Sequence, residues 1–383
     1  MAEDTKFTEG LRDAIIGKSR ICDVNGDEGK LIYAGYDIHD LAQHTTFEEV
    51  VYLLWHIALP TQSQLNELNH HLDEHRALPE GVLTALKAFP TSAPPMDALR
   101  TAVSLLGLYD PDTGDESPHA NMHKSVRLVA QMGTVVAALA RLKAGQEPVA
   151  PKPGLRTAAN FLYQLKGTEP SEVEAHALDV ALILHADHEI NASTFAARVT
   201  IATLTDMYSA VVSAVGTLAG PLHGGANTNV MRTLEKIGSA DKAEEVVTQM
   251  LGSGQKIPGI GHAVYKALDP RAVSLREMSL QLAQSTGDSH WFDLSEAVQK
   301  AADKALIAKG KTTLKANVDF FSASVYHMLG IPTEQFTPIF AVSRISGWTA
   351  HILEQLENNK IMRPRALYEG PRDLTVVPIA QRG

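Results

Sequence analysis

The sequence is poor in cysteine and in aromatic residues. Its single cysteine, Cys22, cannot form an intrachain disulfide or build a thiolate metal site, which fits a reducing compartment such as the cytoplasm. Aromatic residues make up only 6% of the 383 residues, whereas Ala and Leu are abundant. This balance favours helices over strands, and the length allows two or three domains.

Long apolar runs and an excess of positive charge are also missing. The longest apolar region, residues 207–222, is shorter than a bilayer span and contains two glycines, which indicates a buried helix and no membrane partner. The acidic N-terminus carries no apolar stretch, so we expect no secretory signal and a cytoplasmic location. The net charge of −10 argues against a nucleic-acid partner. Any site for an anion must therefore supply its own local positive charge.

The pattern of apolar residues predicts one β-hairpin followed by helices. Residues 21–24 and 30–34 flank a glycine-containing turn and are typical of paired strands. From residue 46 onward helical periodicity dominates, and Ser63 is a candidate N-cap. One predicted helix, residues 193–218, is apolar nearly all round and requires cover on every side. The full set of predicted helices is 47–58, 63–76, 97–108, 123–144, 171–188, 193–218, 224–237, 240–251, 270–284, 291–308, 318–330 and 334–358.

Two histidines lie in glycine- and proline-rich segments where helices are interrupted. His223 follows Pro221 and precedes two glycines, so it is expected near a helix N-terminus, where a neutral imidazole can donate to a developing oxyanion. A simple capping role is an equal alternative. His262 follows Pro258-Gly-Ile-Gly261, and with Lys266 and Arg271 nearby this segment suits a multiply charged anion. The alternative is a solvated basic loop.

Asp319 and Arg344 lie in apolar surroundings. Asp319 precedes two phenylalanines, so partial desolvation would raise its basicity, although the residue taken alone favours an N-cap role. Arg344 falls within an apolar helix and needs an anionic partner, either a buried carboxylate or a ligand.

Three further motifs allow other interpretations. His185-Ala-Asp187-His188 has helical spacing that fits a metal site, structural packing or substrate contact. Asp23-x-Asn25-x-Asp27 resembles the start of a calcium loop but lacks the glycine and the final glutamate, so a polar turn is favoured. Gly259-x-Gly261 lacks the third glycine of a dinucleotide-binding turn.

Taken in order along the chain, these motifs resemble the citrate synthase family in its short bacterial and archaeal form. The resemblance extends from Gly26-Asp-Glu-Gly-Lys-Leu31 to Arg363-Pro-Arg-Ala-Leu-Tyr368. Its most specific parts are Pro221-x-His-Gly-Gly-Ala-Asn227, Gly261-His-x-Val-Tyr-Lys266 with Asp269-Pro-Arg271, and Asn317-Val-Asp319.

The resemblance implies an all-α, two-domain fold with a short N-terminal β-hairpin, in an intertwined homodimer. Residues 1–222 and 324–383 would form the large domain, and residues 223–323 the small one. The site would lie in the cleft between them. The implied activity is condensation of acetyl-CoA with oxaloacetate followed by thioester hydrolysis, with no cofactor and no metal.

The resemblance also implies roles for individual residues. Asp319 would remove a proton from the acetyl methyl group, His223 would stabilise the enol, and His262 would polarise the ketone of oxaloacetate. His188, Arg271 and Arg344 would hold oxaloacetate, and Arg363 would reach the site from the other subunit. Coenzyme A would contact Lys266, Lys311, Lys315 and Asn317.

Three alternatives remain open from the sequence. A 2-methylcitrate synthase would use propionyl-CoA with the same catalytic residues. A metal-dependent hydrolase would be built on His185, Asp187 and His188. A helical binding protein would have no catalytic activity.

Overall fold

A small antiparallel sheet opens the chain in the computed structural model, which describes residues 9–11 and 14–382. Strands β1 (Cys22–Asn25), β2 (Lys30–Tyr33) and β3 (Tyr36–Asp37) pair in that order, with Cys22 opposite Tyr33. The predicted hairpin is confirmed, and the very short β3 was not predicted. In its turn the side chain of Asn25 accepts a hydrogen bond from the Glu28 backbone at 3.1 Å.

The hairpin turn rests on a later part of the chain. The backbone N–H of Lys266 donates to the carbonyl of Gly26 at 2.9 Å, and the Lys266 ammonium pairs with Asp27 at 2.8 Å. A Cβ atom at Gly26 would overlap the carbonyl of Val264. Glycine is therefore required at this position by the close approach of two backbones. The acidic side chains of the turn make protein contacts, as expected of a polar turn.

Helices make up most of the described chain, which confirms the all-α prediction. Two 3₁₀ turns interrupt the series, at Ala240–Lys242 and Thr333–Gln335. The sixteen α-helices of residues 14–382 are α1 (Ile38–His44), α2 (Phe47–His56), α3 (Gln62–His75), α4 (Glu80–Lys87), α5 (Pro95–Tyr109), α6 (Pro118–Lys143), α7 (Thr157–Lys166), α8 (Glu172–His185), α9 (Ala192–Ile201), α10 (Met207–Leu218), α11 (Ala226–Ile237), α12 (Ala243–Gly252), α13 (Pro270–Thr286), α14 (His290–Ala308), α15 (Val318–Met328) and α16 (Phe336–Glu357).

The predicted single helix over residues 193–218 is wrong, because the chain forms two helices there. Leu204 adopts a left-handed backbone conformation with φ of 61°, which a helix interior does not tolerate. Asp206 then caps α10 by accepting a hydrogen bond from the Ser209 backbone at 2.9 Å. Similarly, α3 is capped by Thr61 in a capping box with Gln64, and Ser63 lies inside the helix.

Three short helices were missed by the sequence analysis: α1, α4 and α7. They contain 7, 8 and 10 residues. Two to three turns present too few apolar positions for a helical period to stand out from chance.

Helix α16 lies at the centre of the packing. It contacts α2, α6, α8, α9 and α10, and nearly every side chain from Phe336 to Ile352 is buried. Helix α6 is long and apolar enough to cross a membrane by length and composition alone, but 83% of its apolar window is buried inside the fold. Helices α6 and α16 therefore both lie in the core of the fold.

The site residues come from element ends that this packing brings together. Helix α13 packs against both α8 and α15, and α11 packs against α15 and α16. As a result the C-terminal end of α8, the N-terminal ends of α13 and α15, and the middle of α16 face a common region. The proposed division at residues 223–323 stays a prediction.

Candidate active site

Arg344 fixes the turn that follows α8. Its Nε donates to the carbonyl of His185 at 2.7 Å, and its guanidinium lies 4.7 Å from the ring centre of Phe340. The side chain is 2% exposed, and no carboxylate within the described residues forms an ion pair with it. Burial is the largest cause that lowers the pKa of Arg344. A largely buried guanidinium of this kind is suited to an anionic ligand.

Gly347 allows α16 to approach the same turn. A Cβ atom at this glycine would overlap the carbonyl of Ala186 and would lie 2.5 Å from Oδ1 of Asp187. The turn continues directly to His188, so the absence of a side chain at Gly347 allows α16 to lie against the segment that leads to that histidine.

His188, His262 and Tyr265 form a cluster of rings. Nε2 of His188 lies 3.2 Å from the hydroxyl of Tyr265, and the ring centres of the two histidines are 5.5 Å apart. The rings of His262 and Tyr265 are 4.8 Å apart. Two predicted substrate ligands are therefore neighbours, joined by a tyrosine that the sequence analysis did not single out.

The backbone sets the tautomer of His262. Its Nδ1 accepts hydrogen bonds from the backbone N–H groups of Val264 and Tyr265, at 3.1 and 3.2 Å. Burial is the main cause that lowers the pKa of His262 to about 4, with Arg271 adding to the effect. In the resulting neutral ring the proton resides on Nε2, which is a donor that can polarise a carbonyl oxygen.

The backbone N–H of Ser193 favours the opposite tautomer at His223. Its Nε2 accepts from the backbone N–H of Ser193 at 3.3 Å and lies 2.8 Å from the Ser193 hydroxyl, which itself accepts from Trp348 at 3.1 Å. Burial lowers the pKa of His223 to about 4, and Arg344 contributes. The neutral ring therefore carries its proton on Nδ1.

The expected cause of that neutrality was different. His223 lies in the turn before α11, whose N-cap is Gly225, and it does not cap the helix. Burial and Arg344 keep the ring neutral, whereas the sequence predicts a helix N-terminus as the cause.

Asp319 occupies the first turn of α15. Asn317, and not Asp319, caps the helix, and its side chain accepts the Asp319 N–H at 3.0 Å. Burial is the main cause that raises the pKa of Asp319 to about 6, while Arg271 opposes it. The carboxylate is thus a stronger base than an exposed one, as the adjacent phenylalanines suggested.

Arg271 is held beside this helix by Asp269. The two side chains make hydrogen bonds of 3.0 and 2.8 Å, and both are nearly inaccessible. Oδ2 of Asp269 also accepts the Val318 N–H at 3.0 Å. The charge of Arg271 influences the pKa of His188, His262 and Asp319, and that of Arg344 influences His188, His223 and Asp319. Each of these four titratable groups therefore lies in the field of at least one arginine, and His188 and Asp319 lie in the field of both.

The residues predicted for coenzyme A are more dispersed. Lys311 lines a cavity of about 590 Å³ together with His262, Lys256 and Lys309. Lys315 lies 3.5 Å from Asp303, and its carbonyl accepts the Gly261 N–H. The amide of Asn317 donates to the Gly261 carbonyl at 2.8 Å, so its side chain also holds the loop before His262. Lys266 contacts the hairpin turn.

Arg363 lines a surface groove that contains none of the histidines of the proposed site. Arg363 is exposed, and the groove of about 800 Å³ is also lined by residues 16–20 and the end of α16. None of the other predicted site residues lines this groove. A role for Arg363 in catalysis therefore requires the contact from a second subunit that was predicted.

The three residues expected to bind metal in a hydrolase each contact a different protein group. Nδ1 of His185 bonds to the Ala181 carbonyl, Asp187 pairs with His351 at 3.2 Å, and His188 contacts Tyr265. Across residues 9–11 and 14–382, no three His, Cys, Asp or Glu side chains are grouped as metal ligands. This arrangement does not favour the hydrolase.

Sequence reasoning missed the residues that support the reactive groups. Ser193, Tyr265 and Asp269 orient His223, His188 and Arg271 respectively. Asp269 carried a usable signal, because Asp followed by Pro is typical of an N-cap and the first helical position. Ser193 and Tyr265 act across 30 and 77 residues of chain, so local spacing does not predict these contacts.

Comparison with known proteins assigns this geometry to a family. The family model described as "Citrate synthase, C-terminal domain" matches residues 10–365. Citrate synthase 2 of Bacillus subtilis is 48% identical, over 98% of this chain and 99% of its own. A 2-methylcitrate synthase of Shewanella oneidensis is less similar, at 40% identity over the full length of both chains.

Solved structures agree with the sequence comparison. The citrate synthase of Pyrobaculum aerophilum superimposes with a TM-score of 0.89 at 41% identity, covering 97% of this chain and 95% of that one. The Thermoplasma acidophilum enzyme, described as a ternary complex with carboxymethyl coenzyme A and oxaloacetate, gives 0.90 at 30% identity, covering 98% and 100%. From the matched motifs, the fold and the full-length similarity, this chain belongs to the citrate synthase family.

Proposed function

We propose that this chain condenses acetyl-CoA with oxaloacetate and hydrolyses the resulting citryl thioester to citrate and coenzyme A. The proposal rests on the combination of one buried carboxylate, which acts as the base, with two neutral imidazoles of opposite tautomer. Asp319 accepts the proton, and each histidine has one N–H free to donate to a substrate oxygen. Such a set removes a proton from carbon and stabilises the charge on both reacting carbonyls.

In the first step Asp319 takes a proton from the acetyl methyl group. The Nδ1–H of His223 donates to the thioester oxygen, where negative charge develops as the proton leaves. A preorganised donor of this kind contributes about 3–4 kcal/mol to transition-state stabilisation, judged from oxyanion-hole variants. The pKa of about 6 keeps Asp319 mostly ionised at neutral pH while it remains a better base than an exposed aspartate.

In the second step the enol carbon attacks the ketone of oxaloacetate. The Nε2–H of His262 donates to the ketone oxygen. Arg271, Arg344 and His188 bind the two carboxylates and hold the ketone in place. The guanidinium groups also offset the chain's net charge of −10, which would otherwise repel a dianion.

Coenzyme A binds next to His262. The cavity of about 590 Å³ brings Lys311 beside that histidine, and the cationic lining suits phosphate groups. Lys266, Lys315 and Asn317 lie on segments that adjoin it, and we assign them to the same ligand. Water then cleaves the citryl thioester, which makes release of the product effectively irreversible.

The active protein is an intertwined homodimer of two-domain subunits. Residues 223–323 form the small domain, which closes on the remainder and excludes water during the reaction. Arg363 binds oxaloacetate in the site of the partner subunit, which fits its place in a groove that no other site residue of its own chain lines. We place the enzyme in the cytoplasm.

Acetyl-CoA is preferred to propionyl-CoA. The greater similarity to citrate synthases than to 2-methylcitrate synthases favours this choice. The decisive experiment follows thiol release from each acyl-CoA in the presence of oxaloacetate. We expect a higher kcat/KM with acetyl-CoA and no change on adding a chelator. No thiol release would refute the proposed function, and a preference for propionyl-CoA would favour the methylcitrate alternative.

A further inference from the structure

Two buried polar atoms beside residues of the proposed site have no hydrogen-bond partner within residues 9–11 and 14–382. They are Nε2 of His185 and the hydroxyl oxygen of Tyr326. Both side chains are 0% exposed. Leaving a buried donor or acceptor without a partner is costly, so each such atom requires an explanation.

Nε2 of His185 is an acceptor that no donor within the described residues reaches. Its Nδ1 lies 2.7 Å from the carbonyl of Ala181 and must donate to it, which leaves Nε2 without a proton in the neutral ring. Burial lowers the pKa of His185 to about 3, so the ring stays neutral at working pH. The atom can only accept a hydrogen bond.

The hydroxyl of Tyr326 is a donor that feels the charge of the proposed base. Tyr326 lies seven residues after Asp319 on α15, two turns along the same helix face. Long side chains on a helix lean toward its N-terminus, and Asp319 lies on that side of Tyr326. Burial is the main cause that raises the pKa of Tyr326, and the charge of Asp319 raises it further, so the hydroxyl remains protonated.

The two rings are neighbours, and each also packs against a phenylalanine. Their centres are 6.3 Å apart with an angle of 37° between the planes. Phe340 packs edge-on against His185 at 4.6 Å, and Phe336 against Tyr326 at 5.4 Å. No side chain among these neighbours supplies a partner for either polar atom.

We propose that His185 and Tyr326 bind one water molecule that positions and stabilises the ionised form of Asp319. The water accepts the Tyr326 O–H and donates one hydrogen to Nε2 of His185. Its second hydrogen is then directed to the Asp319 carboxylate. This balances every donor and acceptor, and buried waters commonly satisfy polar atoms in this way. The effect on Asp319 rests on the proposed function, whereas the water site itself does not.

The two residues act as positioning residues, because neither contacts a substrate. Tyr326→Phe removes only the hydroxyl and preserves the packing. We expect kcat to fall about two- to tenfold, the range set by the net contribution of one hydrogen bond. The acid limb of kcat/KM moves to higher pH, because the carboxylate loses a donor that favours its ionised form, while KM for oxaloacetate is unchanged.

Tyr208→Phe is the matched control. Tyr208 is also buried and loses a hydrogen bond to Asp110, but it lies on α10. The control is expected to lower thermal stability without moving the acid limb. His185→Gln retains an acceptor and should preserve the profile better than His185→Leu. An acid limb of Tyr326→Phe identical to that of the wild type overturns the role in positioning Asp319.

Stability tests the water site without relying on turnover. Removing a hydroxyl that lacks any partner relieves its desolvation cost and raises the melting temperature, whereas removing one bound to water lowers it. We expect Tyr326→Phe to melt at a lower temperature than the wild type. A higher melting temperature, or a high-resolution crystal structure without an ordered oxygen between the two atoms, overturns the site even if the enzyme is active.

Discussion

Asp269 and Arg271 form a two-point ion pair at the start of α13, through Nε to Oδ1 at 3.0 Å and a terminal nitrogen to Oδ2 at 2.8 Å. Because Oδ2 also accepts the Val318 N–H, the same carboxylate orients a proposed substrate ligand and the helix that carries the proposed base. One buried side chain thus couples two parts of the site that are far apart in sequence.

Replacing Asp269 by Asn therefore affects both stability and binding. The variant leaves the Arg271 charge buried without its counter-charge, which costs about 3–5 kcal/mol of unfolding free energy for a buried pair. Denaturant titration measures this change. The control is Glu244→Gln, which breaks an exposed ion pair with Lys304 and is expected to cost less than about 1 kcal/mol. Equal losses in both variants would contradict a special role for Asp269.

Asp319→Asn should abolish turnover but not oxaloacetate binding. Loss of a general base lowers kcat by about 10²- to 10⁴-fold. Calorimetric titration with oxaloacetate should still give measurable affinity, since Arg271 and Arg344 remain. Asp293→Asn, in the first turn of α14, is a matched carboxylate replacement and should leave activity unchanged. Near-normal activity of Asp319→Asn would show that another group is the base.

The pH dependence of kcat/KM should have a single acid limb near pH 6. Asp319, with a pKa of about 6, must be ionised to accept a proton, so the rate falls as pH falls through that value. His223 and His262 have pKa values of about 4 and stay neutral across this window, so they add no second limb there. A slope corresponding to two protons near pH 6 would contradict this assignment.

Gly347→Ala tests the close approach of α16 to the turn before His188. Alanine favours a helix interior by about 0.8–1 kcal/mol over glycine. Here, however, the new methyl group would overlap the Ala186 carbonyl. We expect a net destabilisation of about 1–3 kcal/mol, as for overpacked cores, together with a raised KM for oxaloacetate.

The matched control for this variant is Gly216→Ala on α10. There the nearest atom to an added Cβ is 3.6 Å away, which is an ordinary contact. This variant should be as stable as the wild type or more so. If both alanine variants behave alike, the turn adjusts and the contact at Gly347 does not position His188.

Subunit mixing tests whether Arg363 completes the partner's site. Arg363→Ala and Asp319→Asn are each expected to be nearly inactive as homodimers. After subunit exchange, each mixed dimer regains one site with both residues intact, so random pairing restores about a quarter of wild-type activity by two-fold symmetry. Mixing two preparations of Asp319→Asn is the control. Absence of recovery would place Arg363 in the site of its own chain, or outside any site.

The sequence predicted the fold more completely than the site. Periodicity located the hairpin and most helices, because these follow from local spacing. The break before α10 was missed, although Asp206 and Ser209 carried an N-cap pattern. Ser193 and Tyr326 were also missed, because their importance depends on partners brought close only by tertiary packing.

The contact between Gly26 and the segment containing Val264 has a consequence for engineering this enzyme. The N-terminal hairpin is shaped to fit the loop that follows His262, with one backbone lying directly on the other. A chimaera that exchanges only about the first 40 residues with those of a relative would thus leave mismatched surfaces in contact next to His262, the proposed ketone ligand. A functional chimaera therefore requires that residues 262–268 and the hairpin come from the same parent protein.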